Sequence, residues 1–194
     1  MDIVVATNNK GKLAEIKKIL VGYNVLAQNE VGADIDVEET GTTYAENAFL
    51  KAEAVREYTD KFIIADDSGL EVDVLNGEPG LYSARYAGDG TTPDQGMAKL
   101  ISKLEGYAME ERGARFVCCI ALLAPDGDKR TFTGECKGTI IDEKRGTNGF
   151  GFDPIFMVEG GNLTFAELPD TEKNKISHRY KALISLKEYL DTIS

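Results

Sequence analysis

The chain holds no tryptophan, one histidine, three cysteines and five prolines in 194 residues. Each scarcity removes some chemistry. A lone histidine, His178, excludes an HExxH zinc site and any multi-histidine metal centre. Of the cysteines, Cys118 and Cys119 are adjacent in the apolar stretch 116–123, where neighbours on a strand face opposite ways. They read as buried thiols rather than a disulfide or a metal pair. With no basic, apolar leader ahead of MDIVVATNN, the expected setting is reducing and cytoplasmic. No apolar run reaches the roughly 18 residues needed to cross a bilayer, so no membrane partner is expected. Positive charge is scarce too: 22 Lys and Arg stand against 33 Asp and Glu, a formal net charge of −11. That balance argues against binding a nucleic-acid backbone. An anionic small molecule would need local cations or a divalent metal to offset the repulsion. Also missing are a GxxxxGK[ST] loop, a GxSxG elbow and a dinucleotide fingerprint, since TNNKGK at 7–12 carries one glycine.

What is present alternates between strand and helix signals. DIVVA at 2–6 reads as a buried strand, and Leu13, Ile16, Ile19 and Leu20 follow at helical spacing. A short strand at 23–27 precedes an acidic segment at 34–39. Gly41-Thr42-Thr43 with Glu46 reads as a capping box opening a helix over 44–58. FIIAD at 62–66 is a buried strand that Asp67-Ser68-Gly69 is expected to break, with 70–75 extended again. Residues 76–93, rich in Gly and Pro, read as a long excursion, and 94–104 as a helix. Two long strands at 114–124 and 129–141 flank the hairpin signal Pro125-Asp126-Gly127. A glycine-rich turn at 148–154, a short strand and a closing helix at 178–191 complete the chain. Parallel strands need helical crossovers while a hairpin is antiparallel, so the order implies an α/β fold with a mixed sheet. No repeat or linker divides residues 1–194, which are expected to form a single domain.

Five clusters carry the available chemistry, and each has an ordinary structural alternative. Thr7, Asn8, Asn9, Lys10 and Lys12 lie between the first strand and helix, where outward N–H groups favour anions; they could equally be a solvated cap. Asp66-Asp67-Ser68-Gly69 ends the most apolar strand; adjacent carboxylates there need a cation or hydrogen bonds, or they form an Asx turn. Alternation is expected to turn one acid into the structure and the other toward a ligand. Glu38-Glu39 is a solvated face unless it meets Asp67, in which case the carboxylates and substrate phosphates could hold Mg²⁺. Phe150, Gly151, Phe152 and Asp153 could stack on and hydrogen-bond a flat base, or form a tight turn over core phenylalanines. Lys173, His178 and Arg179 gather before the last helix, as a basic site or as a cap.

Together these segments resemble the inosine triphosphate pyrophosphatase family, hydrolases of non-standard purine nucleoside triphosphates. The matching pieces are TNNKGKLAE at 7–15, EETGTTYAENAFLKA at 38–52, ADDSGLEVD at 65–73, PGLYSARYAG at 79–88, GFGFDPIF at 149–156, FAELP at 165–169 and KISHR at 175–179. The resemblance implies an elongated mixed sheet flanked by helices, two lobes with a substrate cleft between them, a homodimer and Mg²⁺ dependence. It also implies hydrolysis of ITP, dITP and XTP to monophosphate and pyrophosphate. By position, Thr7, Asn8, Asn9, Lys10, Gly11 and Lys12 would hold the phosphates. Asp67 would be general base and metal ligand, Ser68 a substrate contact, and Glu38 the second metal carboxylate, with Glu39 as the alternative. Phe150, Gly151, Phe152, Asp153, His178 and Arg179 would enclose the base, with Lys173 toward the phosphates. Relatives often carry Tyr or Trp where Phe152 stands. Two other readings remain: a nucleotide sensor that binds ITP without consuming it, and a pyrophosphatase of modified pyrimidine nucleotides.

Overall fold

The computed structural model describes residues 1–193. Its elements in order are β1 (Asp2–Val5), α1 (Lys10–Ile19), β2 (Asn24–Ala27), α2 (Tyr44–Arg56), β3 (Phe62–Val72), α3 (Pro93–Lys103), β4 (Gly113–Leu123), β5 (Lys129–Ile140), β6 (Phe156–Val158), α4 (Asp170–Ile176) and α5 (His178–Ile193). The six strands form one mixed sheet in the order β2-β1-β3-β4-β5-β6. Strands β1 and β2 are parallel, as are β1 and β3, while β5 and β6 are antiparallel. No helix among the described residues is long and apolar enough to cross a membrane. The described residues fall into two compact units. The boundaries fall inside β3, β4 and β5 and at the start of α5.

The first unit comprises Met1–Asp67, Cys118–Gly134 and the chain from Arg179 onward. Its strands bury both faces, and period-two alternation sorts their side chains between two layers of helix. Ile3, Val5, Ile64, Cys118, Ile120 and Leu122 pack with Ile16 and Leu20 of α1 and with Ala182, Leu183, Leu186 and Leu190 of α5. Val4, Ala6, Ile63 and Ala65 face the other way, onto Ala52 and Val55 of α2. The chain leaves β1 through α1 to reach β2 on one side, then returns through α2 to β3 on the other. The carboxyl ends of β1 and β3 therefore flank a topological switch point, the place where open α/β sheets bind ligands.

The second unit comprises Ser68–Val117 and Glu135–His178. Its core joins Leu70 and Val72 of β3, Met97 and Leu100 of α3, and Phe116, Ile140, Phe152, Phe156 and Phe165. The rings of Phe116 and Phe156 lie 4.6 Å apart, and those of Phe156 and Phe165 5.0 Å.

Most elements stand where the sequence places them, with three differences. Strand β3 does not break at Asp67-Ser68-Gly69 but runs unbroken from Phe62 to Val72. Leu70 and Val72 are fully buried, and the gain from that burial outweighs the local turn preference. The expected extension over 70–75 ends at Val72 and passes into a 3₁₀ turn at Asp73–Leu75. Helix α4 was not expected, since seven residues are too few to show a helical period. The excursion at 76–93 also contains a 3₁₀ segment, Gly80–Arg85. Helix α2 begins as expected: Thr43 Oγ1 accepts the Glu46 N–H at 3.1 Å. The reciprocal bond differs, because the Glu46 carboxylate takes the N–H of Thr42 at 2.6 Å.

Candidate active site

In the first unit the β1–α1 loop sits at the switch point. Register pairs Val5 with Ile64, and the Ala6 N–H donates to the Ile64 carbonyl at 2.8 Å. The loop from Thr7 onward therefore emerges beside Asp66 and Asp67. Asn9 caps α1, its Oδ1 accepting the Lys12 N–H at 3.0 Å, while Thr7 Oγ1 accepts the Asn9 N–H at 3.2 Å. The Asn8 amide is also committed: it donates to the Ile35 carbonyl at 2.9 Å and accepts from Gln28 at 2.9 Å. Gln28 donates to the same carbonyl at 2.8 Å and so ties the loop to the acidic segment. Lys10 and Gly11 are exposed at the helix N-terminus. Thr7 to Lys10 border a cavity of about 500 Å³ that Gln28, Glu30 and Asp34 also line. What the loop can offer a ligand is thus the helix N-terminus and the lysines, with the Asn8 and Asn9 side chains shaping it.

The two acids of β3 obey strand alternation and turn to opposite faces, and both are buried. Asp66, on the α1 and α5 face, receives Lys12 Nζ at 3.0 Å and Arg179 Nε at 3.3 Å on one oxygen. Arg179, 3% exposed, also pairs with Glu15 at 2.9 Å. Burial by itself would raise the Asp66 pKa, but the charges of Lys12, Arg179 and Lys51 outweigh it and hold the carboxyl well below the usual range. Burial likewise pulls the Arg179 pKa down, and Asp66 with Glu15 raises it overall, so both groups remain charged. Asp67, on the α2 face, accepts the Asn47 side-chain amide at 3.0 Å. Ser68, half-buried, continues the strand.

The adjacent glutamates separate clearly. Glu39 pairs with Lys51 at 2.6 Å, and Lys51 also donates to the Asp66 carbonyl at 2.7 Å. Glu38 is exposed, and its side chain has no hydrogen-bond or ion-pair partner among the described residues. No group of three His, Cys, Asp or Glu side chains among the described residues is placed to hold a metal by itself. A hard cation such as Mg²⁺ does not need such a group, since it keeps several waters and takes one or two carboxylates beside substrate phosphates.

In the second unit, Asp153 organises the glycine-rich turn. Its buried carboxylate accepts the Phe150 N–H at 2.9 Å and Lys173 Nζ at 2.5 Å on the same oxygen. Gly149 has φ +75°, and a Cβ there would lie 2.0 Å from that oxygen, so the turn requires glycine. Gly151 is also left-handed, with φ +61°. Phe150 is 55% exposed, with Lys173 Nζ 5.2 Å from its ring centre. Phe152 corrects the expected pair of stacking rings. It is buried, packs edge-on to Tyr86 at 6.3 Å and serves the core. His178 is buried as well, stacked on Phe116 with ring centres 4.9 Å apart.

Known proteins resemble this chain in sequence and fold. The sequence profile of the Ham1 family matches residues 3–189. The chain belongs to the Ham1 family. It is 52% identical over 190 residues to a dITP/XTP pyrophosphatase of Staphylococcus epidermidis, covering 98% of this chain and 96% of that protein. It is 47% identical over 192 residues to the dITP/XTP pyrophosphatase of Bacillus subtilis, at 98% and 97% coverage. Among solved structures, the Staphylococcus aureus Ham1 protein superposes over the full length of both chains with a TM-score of 0.91 at 46% identity. A HAM1 protein from Coxiella burnetii does so over 99% of each, with a TM-score of 0.91 at 40% identity.

Within this Ham1 fold, four polar residues stand at the site without having been singled out one by one in the sequence. Gln28, Asn47 and Lys51 are single polar residues whose neighbours in sequence give no hint of their partners. Asp66 was visible beside Asp67, but its engagement with α5, 113 residues away, was not.

Proposed function

We propose that the chain hydrolyses the non-standard purine nucleoside triphosphates dITP, ITP and XTP to the monophosphate and pyrophosphate, with Mg²⁺ as cofactor. The observation that carries this reading is the meeting of an anion-favouring helix N-terminus, Lys12 and the Asp66-Asp67 pair at the switch point of the first unit, in a chain about half identical to enzymes named for that activity.

The residues divide the work by chemistry. The N–H groups at the start of α1, with Lys10 and Lys12, take the phosphates. Glu38 and Asp67 are the metal carboxylates; Glu39 is withdrawn by its pair with Lys51. Bound Mg²⁺ would offset the charge that develops on the phosphate oxygens. Asp67 accepts a proton from the attacking water as the α–β anhydride link breaks, and Ser68 contacts the substrate. Phe150 offers the exposed ring for stacking on the base, and the Gly151 turn lets backbone approach it. The base edge is assigned to Asp153, His178 and Arg179, and a phosphate contact to Lys173. A 6-oxo purine offers an acceptor at O6 and a donor at N1, while adenine reverses both. A donor left facing the adenine amino group costs about 1–3 kcal/mol, more where it is charged. The enzyme acts in the cytoplasm as a homodimer.

The test is a substrate panel of ITP, XTP, dITP, ATP, GTP and CTP with Mg²⁺, each product identified. Monophosphate with pyrophosphate, strongly favouring ITP, dITP and XTP, is expected. Diphosphate with orthophosphate, or binding of ITP without turnover, overturns the reading. Asp67→Asn should lose turnover while retaining fold and nucleotide binding.

A further inference from the structure

Asn47 occupies an unusual position. Asparagine is a poor residue for a helix interior, yet this one sits in the first turns of α2 and is 1% exposed. Both ends of its side-chain amide are used. The Gly41 N–H donates to Oδ1 at 2.7 Å, which fixes the oxygen end, so the amino end must point the other way. There Nδ2 donates to Asp67 Oδ2 at 3.0 Å. Gly41 permits the approach: a Cβ at that position would lie 2.7 Å from Asn47 Oδ1 and 2.7 Å from the Glu46 Cβ. One turn further along the same helix face, Lys51 grips the same two stretches of chain, Glu39 at 2.6 Å and the Asp66 carbonyl at 2.7 Å. Residues 39–41 and 66–67 are therefore each held twice by α2, and Glu38 stands one residue outside that grip.

We propose that Asn47 is a positioning residue for the hydrolysis: its amide, oriented by Gly41, sets the plane of the Asp67 carboxylate. The inference rests on the assignment of Asp67 as general base and metal carboxylate. Aspartate has the shape of asparagine but cannot donate when ionised, and leucine offers neither group. Only a side chain with an acceptor at one end and a donor at the other serves both Gly41 and Asp67.

The experiment compares Asn47→Asp, Gly41→Ala and Asp67→Asn in the full chain, with dITP at saturating Mg²⁺. Asn47→Asp keeps the acceptor for Gly41, removes the donor to Asp67 and sets a second carboxyl about 3 Å from it. Gly41→Ala pushes on Asn47 without touching Asp67, and keeps the question answerable if the first variant fails to fold. A hydrogen bond to a charged group of this kind corresponds to a loss in kcat of roughly 10–100-fold. That loss is expected in both variants beyond what their unfolding midpoints explain, with KM for dITP within about threefold; the second buried carboxyl of Asn47→Asp and the contact of the added Cβ with Glu46 in Gly41→Ala each lower the midpoint somewhat. In the Asp67→Asn background, Asn47→Asp should lower the residual rate little further, as coupled residues behave. The proposal is overturned if both variants keep kcat within about twofold while Asp67→Asn is inactive. It is equally overturned if kcat falls only in step with stability, or if Asn47→Asp costs the same factor without Asp67. Near-normal turnover by Asp67→Asn would instead overturn the base assignment, and the positioning role with it.

Discussion

Replacing Asp66 by Asn removes one charge and almost no volume, and the structure sets what it costs. The carboxylate stands between two cations, Lys12 at 3.0 Å and Arg179 at 3.3 Å, all three largely withdrawn from water. Its other oxygen is buried without a hydrogen-bond partner. An asparagine therefore has no good orientation. With its oxygen toward the cations it offers them a neutral acceptor in place of a charge; reversed, it presents donors to donors. Breaking a buried pair in this way costs about 3–5 kcal/mol, because the partners keep their charge. At about 2–4 °C per kcal/mol for a chain of this size, the midpoint should fall roughly 6–20 °C at pH 7. The pH dependence follows from the depressed Asp66 pKa. A carboxyl held below its unfolded value stabilises fully above that value, and the gain is lost as pH falls toward the folded pKa. The gap between wild type and Asp66→Asn should thus be flat from pH 8 to 5 and shrink only below about 4, the ordinary aspartate value. Thermal unfolding followed by circular dichroism across that range is the assay. A variant melting within about 2 °C of wild type at pH 7, against the cost expected of a broken buried pair, would refute the reasoning. So would a gap that already closes between pH 8 and 6.

Other perturbations separate neighbouring roles. Glu38→Gln should raise the Mg²⁺ concentration needed for half-maximal activity, while Glu39→Gln should disturb Lys51 and leave the metal requirement nearer normal; a metal titration of both variants decides, and the reverse pattern would exchange the assignments. Gly149→Ala places a Cβ 2.0 Å from Asp153 Oδ2 on a left-handed backbone, so it should break the Asp153–Lys173 pair and raise KM for dITP; an unaltered KM would remove this turn from substrate binding. All three cysteines are buried, and burial pushes the Cys118 and Cys119 thiols up; a thiol reagent at pH 8 should modify none before unfolding, and rapid labelling of the native protein would contradict the packing.

How much the sequence revealed depended on how local the signal was. Strands such as IVV at 3–5 and FII at 62–64 announced themselves because they are buried on both faces and bounded by turn residues. Helix α1 was legible from Asn9 as cap and from the spacing of Leu13, Ile16, Ile19 and Leu20. The clusters of candidate chemistry were legible for a similar reason: each is a run of neighbouring residues, and seven such runs in order carry the resemblance on which the roles rest. Signals that needed a distant partner were not. The Asp67-Ser68-Gly69 break was misread because Leu70 and Val72, buried in the core, carry the strand through it. Phe150 and Phe152 look equivalent as letters, yet the turn exposes one and sends the other against Tyr86.

The sequence by itself determined the α/β class, the order of nearly all elements, the buried thiols and the inventory of acids, lysines and glycines from which a phosphate-handling site could be built. Tertiary structure alone decided which of those side chains are already engaged. Glu39 is taken by Lys51 while Glu38 is exposed; Asp66 is taken by Lys12 and Arg179 while Asp67 turns to Asn47. The physical reason is that hydrophobic period and turn chemistry act over a few residues and are written along the chain. The fate of a carboxylate depends instead on which cation or amide the fold brings within hydrogen-bond reach, and those partners arrive from helices as far as 113 residues away.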